Sequence, residues 1–281
     1  MDPQPLVSIV TVSFNQAQYL RACIESVLGQ TYPNVEYIVI DGGSADNSAE
    51  IIAEYADRLK YWHSKKDNGP ADALNQGFEQ ATGTIFAYLN SDDVLLPEAV
   101  QKWVDAFQKN PRVDLVYGGI KYLDGEGRPT KGPGGGKAWG YPACPWSIRT
   151  YAAGVMVLPQ QASAWKRTLH EAVGGFNADN RTNWDPEFYA QAAVKGFAFK
   201  DIPAVLAGFR FHEKSITVGL LSNPDEKTLA RRATARARTR EIFASNGIQI
   251  SDLERKWRKA TFRLMHAACL VRDYRQNGGR T

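Results

Sequence analysis

Apolar positions change period along the first 120 residues of the chain. Val7–Ser13 (VSIVTVS) is a β-branched run of strand length, and Tyr19, Leu20, Cys23, Ile24, Val27 and Leu28 then recur at helical spacing. The alternation repeats. Val35–Asp41 (VEYIVID) reads as strand, 49–59 as helix, 61–65 as a short strand, 71–81 as helix and 84–90 (TIFAYLN) as strand. Asn47 and Glu50 are spaced to cap the second helix. Pro97 suits a first helical turn, and Val100, Trp103, Val104 and Phe107 follow as its apolar stripe. Residues 113–119 (VDLVYGG) close the series as a strand.

Strands that alternate with helices need crossover connections, so the pattern predicts an α/β domain with a mostly parallel sheet covered on both faces. In such sheets ligands lie beyond the carboxyl ends of the strands, where the strand order reverses. Three of these ends are polar: Ser13-Phe14-Asn15, Asp41-Gly42-Gly43-Ser44 and Asn90-Ser91-Asp92-Asp93. Two chemistries compete for them. A dinucleotide-binding fold places a ribose-binding acid where Asp41 stands, but the turn after the first strand, SFNQAQYL, has none of the glycines that wrap a pyrophosphate. The other chemistry uses Asp92 and its neighbours as hard oxygen ligands for Mg²⁺ or Mn²⁺ bridging two phosphates, which needs no glycine loop.

Composition narrows the class. At 281 residues, 43% hydrophobic and 23% charged, the chain suits one large globular domain or a domain with an appendage. Cys23, Cys144 and Cys269 are scattered and odd in number, which argues against a disulfide framework or zinc site and fits a reducing, cytoplasmic setting. The expectation is a chain without signal peptide or membrane span, since no window approaches the roughly 18 to 20 apolar residues a span needs.

At this point the motifs themselves become specific. F-N, Q-T-Y-P-N-x-E, D-G-G-S-x-D-x-S, D-A-x-N-x-G, A-T-G and L-N-S-D-D follow one another in order. Together they resemble the family 2 glycosyltransferases of GT-A fold, from Val7 to about Thr217. The resemblance implies a Rossmann-like, mostly parallel sheet flanked by helices over 1–222, divided into a nucleotide-sugar half (1–120) and an acceptor half (121–222), with a C-terminal helical extension over 223–281. It implies inverting transfer of a sugar from a nucleotide-diphosphate donor, UDP ahead of GDP or dTDP, to a hydroxyl of a saccharide or lipid-linked acceptor. The setting would be synthesis of surface polysaccharide or glycoconjugate, with Mn²⁺ or Mg²⁺ as cofactor.

By position, Asn90-Ser91-Asp92 looks like the D-x-D motif with its first acid replaced by an amide. Asp92 would be the main metal ligand, Asn90 and Ser91 would lie against the donor, and Asp93 would either help the metal or cap the following turn. Asp41 matches the first acid of the family's D-D-G-S motif, and Gly42 replaces the second, which loosens the tie to a uridine donor. Val12 and Phe14 would line the base pocket, with Asp72 on the donor side. Arg210 would meet phosphate charge, and His212 would face the metal or the diphosphate. Residues 174–197 resemble the G-G-F-D segment followed by an acidic pair on a helix. Deprotonating a sugar hydroxyl needs a carboxylate within hydrogen-bond reach, and the resemblance implies Asp185 as that base with Glu187 in reserve. The bland alternative is a pair of helix N-terminal acids after Trp184, with Pro186 in the first turn. Gln161, flanked by Gln160 and Ser163, and Trp184 fall on the acceptor side. The Gly- and Pro-rich stretch 124–146 has the composition of a lid, with Trp139, Tyr141 and Trp146 available to stack on sugars. The competing class is a saccharide or nucleotide-sugar binding protein of the same fold with transfer lost.

Charge is uneven: the net +4 divides into +8 after residue 220 and −4 before it. The tail reads as a helix over 225–245 carrying Arg231, Arg232, Arg236, Arg238 and Arg240, then a second opened by the capping box Ser251 to Glu254. Leu253, Trp257, Leu264, Leu270, Val271 and Tyr274 give that second helix a broad apolar face. It is expected to pack on the preceding domain or on a second subunit of a homodimer. A sharper expectation is peripheral contact with an anionic membrane surface carrying a lipid-diphosphate-linked acceptor. No reader motif accompanies the charge, so no nucleic-acid partner is expected.

Overall fold

The computed structural model describes residues 4–132, 140–212, 215 and 226–276. Nine strands form one sheet: β1 (Val7–Ser13), β2 (Val35–Asp41), β3 (Tyr61–Ser64), β4 (Ile85–Asn90), β5 (Val94–Leu95), β6 (Leu115–Leu123), β7 (Gly140–Tyr141), β8 (Ser163–Lys166) and β9 (Phe199–Arg210). The order is β3-β2-β1-β4-β8-β6-β9-β5, with β7 added to β6. β3, β2, β1 and β4 are parallel neighbours, and six of the nine strands point the same way; β5, β7 and β8 run against them. The chain builds outward from β1 to β3 and then returns to β4 on the other side of β1. The sheet therefore reverses its order between β1 and β4, where the register pairs Val12 with Asn90.

Helices cover both faces because the strands are apolar on both. Val10, Val12, Ile38, Ile40, Phe86 and Tyr88 face one layer with α3 (Pro70–Glu79), α6 (Arg167–Val173) and α7 (Trp184–Val194). Ile9, Val39, Ala87 and Leu89 face the other with α1 (Ala17–Leu28), α2 (Ser48–Ala53) and α4 (Ala99–Lys109). The stripe read for α4 is the one that packs: Val100, Trp103, Val104 and Phe107 are all buried, each such side chain adding about 1.5–3 kcal/mol of burial. α3 approaches β1 so closely at Gly77 that a Cβ there would meet Val10 Cγ1 at 2.4 Å.

Several local readings are corrected. The helix read over 49–59 splits into α2 and a 3₁₀ turn at Ala56–Arg58. Asn47 does not cap α2 through its side chain; Asp46 does so instead, its Oδ1 accepting from the Ser48 backbone at 3.1 Å. The strand read over 113–119 runs from Leu115 to Leu123, extended by its pairing with β9.

The tail forms α8 (Glu226–Ser245) and α9 (Asp252–Gln276), with α5 (Ile148–Ala152) beside them. Ala235 and Phe243 of α8 are buried, and α8 packs on α7. The capping box at α9 forms, Ser251 Oγ accepting from Glu254 N at 3.1 Å. Arg149 and Arg258 both grip Glu254, at 2.6 and 2.7 Å, and hold its carboxyl down at about 2. The apolar face read for α9 is corrected too. Phe262, Met265 and Cys269 are the side chains that pack on the sheet domain, whereas Leu253, Trp257, Leu264 and Val271 are exposed. At i, i+4, i+11 and i+18 these four make a second stripe on the opposite side of the helix. Among the described residues, no helix is long and apolar enough to cross a membrane.

Candidate active site

A cleft of about 970 Å³ opens at the carboxyl edge of β1, β2 and β4. Its walls come from loops that hold one another by their backbones. Asn15, at φ 54°, accepts from Ala45 N at 2.8 Å, and its own N–H donates to Ser44 Oγ at 2.7 Å. Asp46 accepts from Ala17 N at 3.0 Å. The F-N and D-G-G-S-x-D motifs are thus a clasp between the β1 and β2 loops. Asn75 does the same for the other wall: Oδ1 accepts from Phe176 N and Nδ2 donates to Phe176 O, both at 2.8 Å, so α3 fixes the G-G-F loop.

Of the residues expected at the site, Val12, Phe14, Gly42, Asn90, Ser91, Asp92, Gln161, Trp184 and Asp185 line the cleft. The two adjacent acids part company at the end of β4. Asp92 faces the cleft, and its Oδ2 lies 3.0 Å from His212 Nε2. Asp93 turns inward, fully buried, where it accepts from Arg210 N at 2.9 Å and is bonded by the Gln161 side chain. Burial and the neighbouring Asp92 push its carboxyl well above the usual range. Asp93 thus anchors β9 from a position that does not line the cleft.

Four further expected residues, Arg210, Asp41, Asp72 and Glu187, are not among those lining the cleft, and each has partners within the protein. Arg210 is buried, donating Nε to Asp92 O at 2.9 Å and Nη1 to Gly125 O at 3.1 Å, so its charge clamps loops and does not face the cleft. Asp41 is buried with its oxygens taken by Ser44 and Ser64. Asp72 binds Asn68 N and the Gln76 side chain at the start of α3. Glu187 is buried and accepts from Asn177 Nδ2 at 2.8 Å and Asn180 Nδ2 at 2.6 Å, stapling the loop before α7. Of the candidate lid, 133–139 with Trp139 lies outside the described residues; Tyr141 lines the cleft and Trp146 stacks on Phe199 in the core.

Asp185 has a different environment. It stands in the first turn of α7, half-buried, with Tyr88, Tyr151 and Tyr189 close enough to feel its charge. Their hydroxyls are engaged elsewhere: Tyr88 with Trp184 Nε1, Tyr151 with Pro186 O and Tyr189 with Ser163. Desolvation raises the Asp185 carboxyl from 3.8 to about 7, outweighing its own backbone N–H, which pulls the other way. A carboxylate poised near neutrality inside a cleft is matched to proton abstraction.

The cleft also contains residues the motifs did not announce. Lys66 and Asp67 follow β3, and Asp67 is raised by burial. A Cβ at Gly42 would lie 2.7 Å from Asp67 Oδ2, so Asp67 fills the space a side chain at 42 would use. The signal was present, since Asp67 stands just past another strand end. Arg181 and Thr182 enter from the loop before α7, with no comparable pattern to mark them.

The profile of glycosyl transferase family 2 matches residues 8–171, more than half of the chain. The chain belongs to that family. An uncharacterised glycosyltransferase of Mycobacterium tuberculosis strain H37Rv is 34% identical over 197 residues, spanning 69% of this chain and 71% of the relative. One from Nostoc sp. is 34% identical over 128 residues, 42% of this chain and 39% of its own length. Among solved structures, S. aureus TarS 1–349 in complex with UDP-GlcNAc superposes with a TM-score of 0.60 at 17% identity, covering 85% of this chain and 73% of that one. The Pyrobaculum calidifontis mannosyltransferase PcManGT, in complex with GDP-Man and Mn²⁺, gives 0.58 at 17% identity, covering 96% and 86%. These likenesses establish the GT-A fold of the family 2 chain.

Asp92 and His212 form a pair; among the described residues no group of three His, Cys, Asp or Glu side chains is placed to hold a metal. A carboxylate oxygen and an imidazole nitrogen 3.0 Å apart nevertheless fit Mg²⁺ or Mn²⁺, which keep water and substrate phosphates among their ligands. His212 is held by packing against the Tyr19 ring at 4.4 Å, and its Nδ1 is buried with no hydrogen-bond partner among the described residues.

Proposed function

We propose that this family 2 glycosyltransferase is an inverting enzyme that moves a sugar from a nucleotide-diphosphate donor to a hydroxyl of a saccharide or lipid-linked acceptor, in surface polysaccharide or glycoconjugate synthesis. The observation that carries the reading is Asp185, an under-solvated carboxylate raised to about 7 in the same cleft as Asp92. Asp185 takes the proton from the acceptor hydroxyl as that oxygen attacks the anomeric carbon. The bond to the donor diphosphate breaks in the same displacement, which inverts the configuration. Asp92 and His212 would hold a divalent ion, which when bound supplies positive charge to the departing diphosphate. Phe14, 62% exposed at the cleft mouth, offers an aromatic face to the base, and Asp67 offers an acceptor for a base N–H. UDP and GDP, both seen in the superposed structures, are the donors to test before dTDP.

The exposed α9 stripe supports a peripheral setting at the cytoplasmic face of a membrane. Leu253, Trp257, Leu264 and Val271 stand outward on a helix that also exposes Lys256, Lys259 and Arg263, which matches an anionic lipid surface. Wild type should co-sediment with phosphatidylglycerol vesicles and Trp257→Ala/Leu264→Ala should stay in solution; equal pelleting of both rejects the membrane contact. For catalysis, the test is turnover of a panel of nucleotide sugars with Mn²⁺. Wild type should be active and Asp92→Ala at least 100-fold slower. Nucleotide binding without turnover in wild type would instead favour a binding module.

A further inference from the structure

A second concavity, of about 380 Å³, lies between the loop before α7 and one face of α8. Arg181 comes from the loop, and Arg231 and Arg238 from α8, where they stand two turns apart on one face with Thr234 and Ala235 between them. Among the described residues of its wall Asp179 is the one acid, against three arginines, a surplus of two positive charges. Among the described residues, none of the three guanidinium groups has an ion pair or hydrogen bond to the protein. Three unpaired arginines around one concavity repel one another until an anion joins them, and their planar forks match phosphate oxygens. The loop is built, not loose: Asn180, 2% exposed, donates to Glu187 and to Asn183 O and accepts from Asn183 N.

The position decides whose phosphate this is. Arg181 and Thr182 line both this concavity and the active-site cleft, so the two share a wall. α8 packs on α7, which carries Asp185 in its first turn, while neither Asp92 nor His212 is among the residues that line this concavity. In the proposed function the donor diphosphate is seated at Asp92 and His212. We infer that Arg181, Arg231 and Arg238 form a second anion site that binds a phosphate group carried by the acceptor, holding the acceptor so that its hydroxyl reaches Asp185. The inference rests on the reading of Asp185 as the acceptor-side base.

The test is calorimetric titration of the full-length protein with farnesyl diphosphate, farnesol and inorganic phosphate, alongside pelleting with phosphatidylglycerol vesicles. Wild type and Asp92→Ala should bind farnesyl diphosphate alike, and Arg231→Gln/Arg238→Gln at least tenfold more weakly, with an unchanged thermal melt. Farnesol should not bind. Competition by inorganic phosphate would show that the phosphate alone is recognised, and no competition that the lipid-linked diphosphate is required; both outcomes support the site. Loss of binding in Asp92→Ala but not in the arginine variant would place the phosphate in the donor cleft and overturn the inference. So would equal binding of farnesol, or an arginine effect confined to vesicle pelleting. Donor hydrolysis is measured in parallel. If wild type hydrolyses no nucleotide sugar, the enzymatic reading fails while the titrations still decide the anion site; if wild type hydrolyses donor but the arginine variant binds farnesyl diphosphate as tightly as wild type, the anion site alone fails.

Discussion

Replacing Asp185 with asparagine should make the protein more stable at alkaline pH. The carboxyl ionises near 3.8 in the unfolded chain and at about 7 in the folded one. Well below pH 3.8 both states keep the proton and the site costs nothing. Between 4 and 7 the unfolded chain releases its proton while the folded chain retains it, so stability falls as pH rises. Above 7 the whole difference is present, about three pH units at about 1.36 kcal/mol each, or about 4 kcal/mol. At pH 5 it is about 1.5 kcal/mol. Asparagine is neutral throughout and of similar size, so Asp185→Asn recovers that cost. Urea unfolding of both proteins at pH 8 and pH 5 should show a gain of about 4 kcal/mol at the higher pH and about 1.5 kcal/mol at the lower. A gain that is absent at pH 8, or the same at both pH values, would refute the desolvation argument.

Other substitutions test the frame around the site. Glu187→Ala removes the acceptor of two buried amide bonds and should cost about 2–4 kcal/mol in denaturant unfolding, with a raised acceptor KM; a change under 0.5 kcal/mol would be inconsistent with the staple. Gly77→Ala forces a methyl into Val10 and should cost about 1–3 kcal/mol by thermal melt. Asp67→Asn keeps an oxygen to accept from Gly69 N and should leave folding unchanged, yet raise the donor KM at least several-fold; an unaltered donor KM excludes it from base recognition.

The strand ends were legible because the sheet's period and crossover pattern place them at one edge whatever the side chains do later. Phe14, Asn90, Asp92 and Asp185 reach the cleft from positions that pattern and motif had marked. What the pattern did not reveal was the direction in which an acid turns. Asp92 and Asp93 are neighbours in sequence, and their different fates depend on β9, more than 100 residues away, bringing the Arg210 backbone to Asp93 and His212 to Asp92. The same holds for Glu187, claimed by Asn177 and Asn180, and for Asp41, claimed by Ser44 and Ser64. α9 exposed a different limit. It has two apolar stripes, and only the docking surface of the domain selects Phe262 and Cys269 over Trp257 and Leu264. Arg181, Arg231 and Arg238 come together only through the packing of α8 on α7.

The most direct measurement of the central claim is the pH dependence of kcat/KM for sugar transfer by wild type and Asp185→Asn. With Asp185 as the base, the wild-type rate rises with pH along a limb of apparent pKa near 7 and then levels, while the asparagine variant is about 10²–10⁴-fold slower at pH 8 and lacks that limb. A variant that keeps wild-type rates, or that keeps the same limb, would mean that another group takes the acceptor proton.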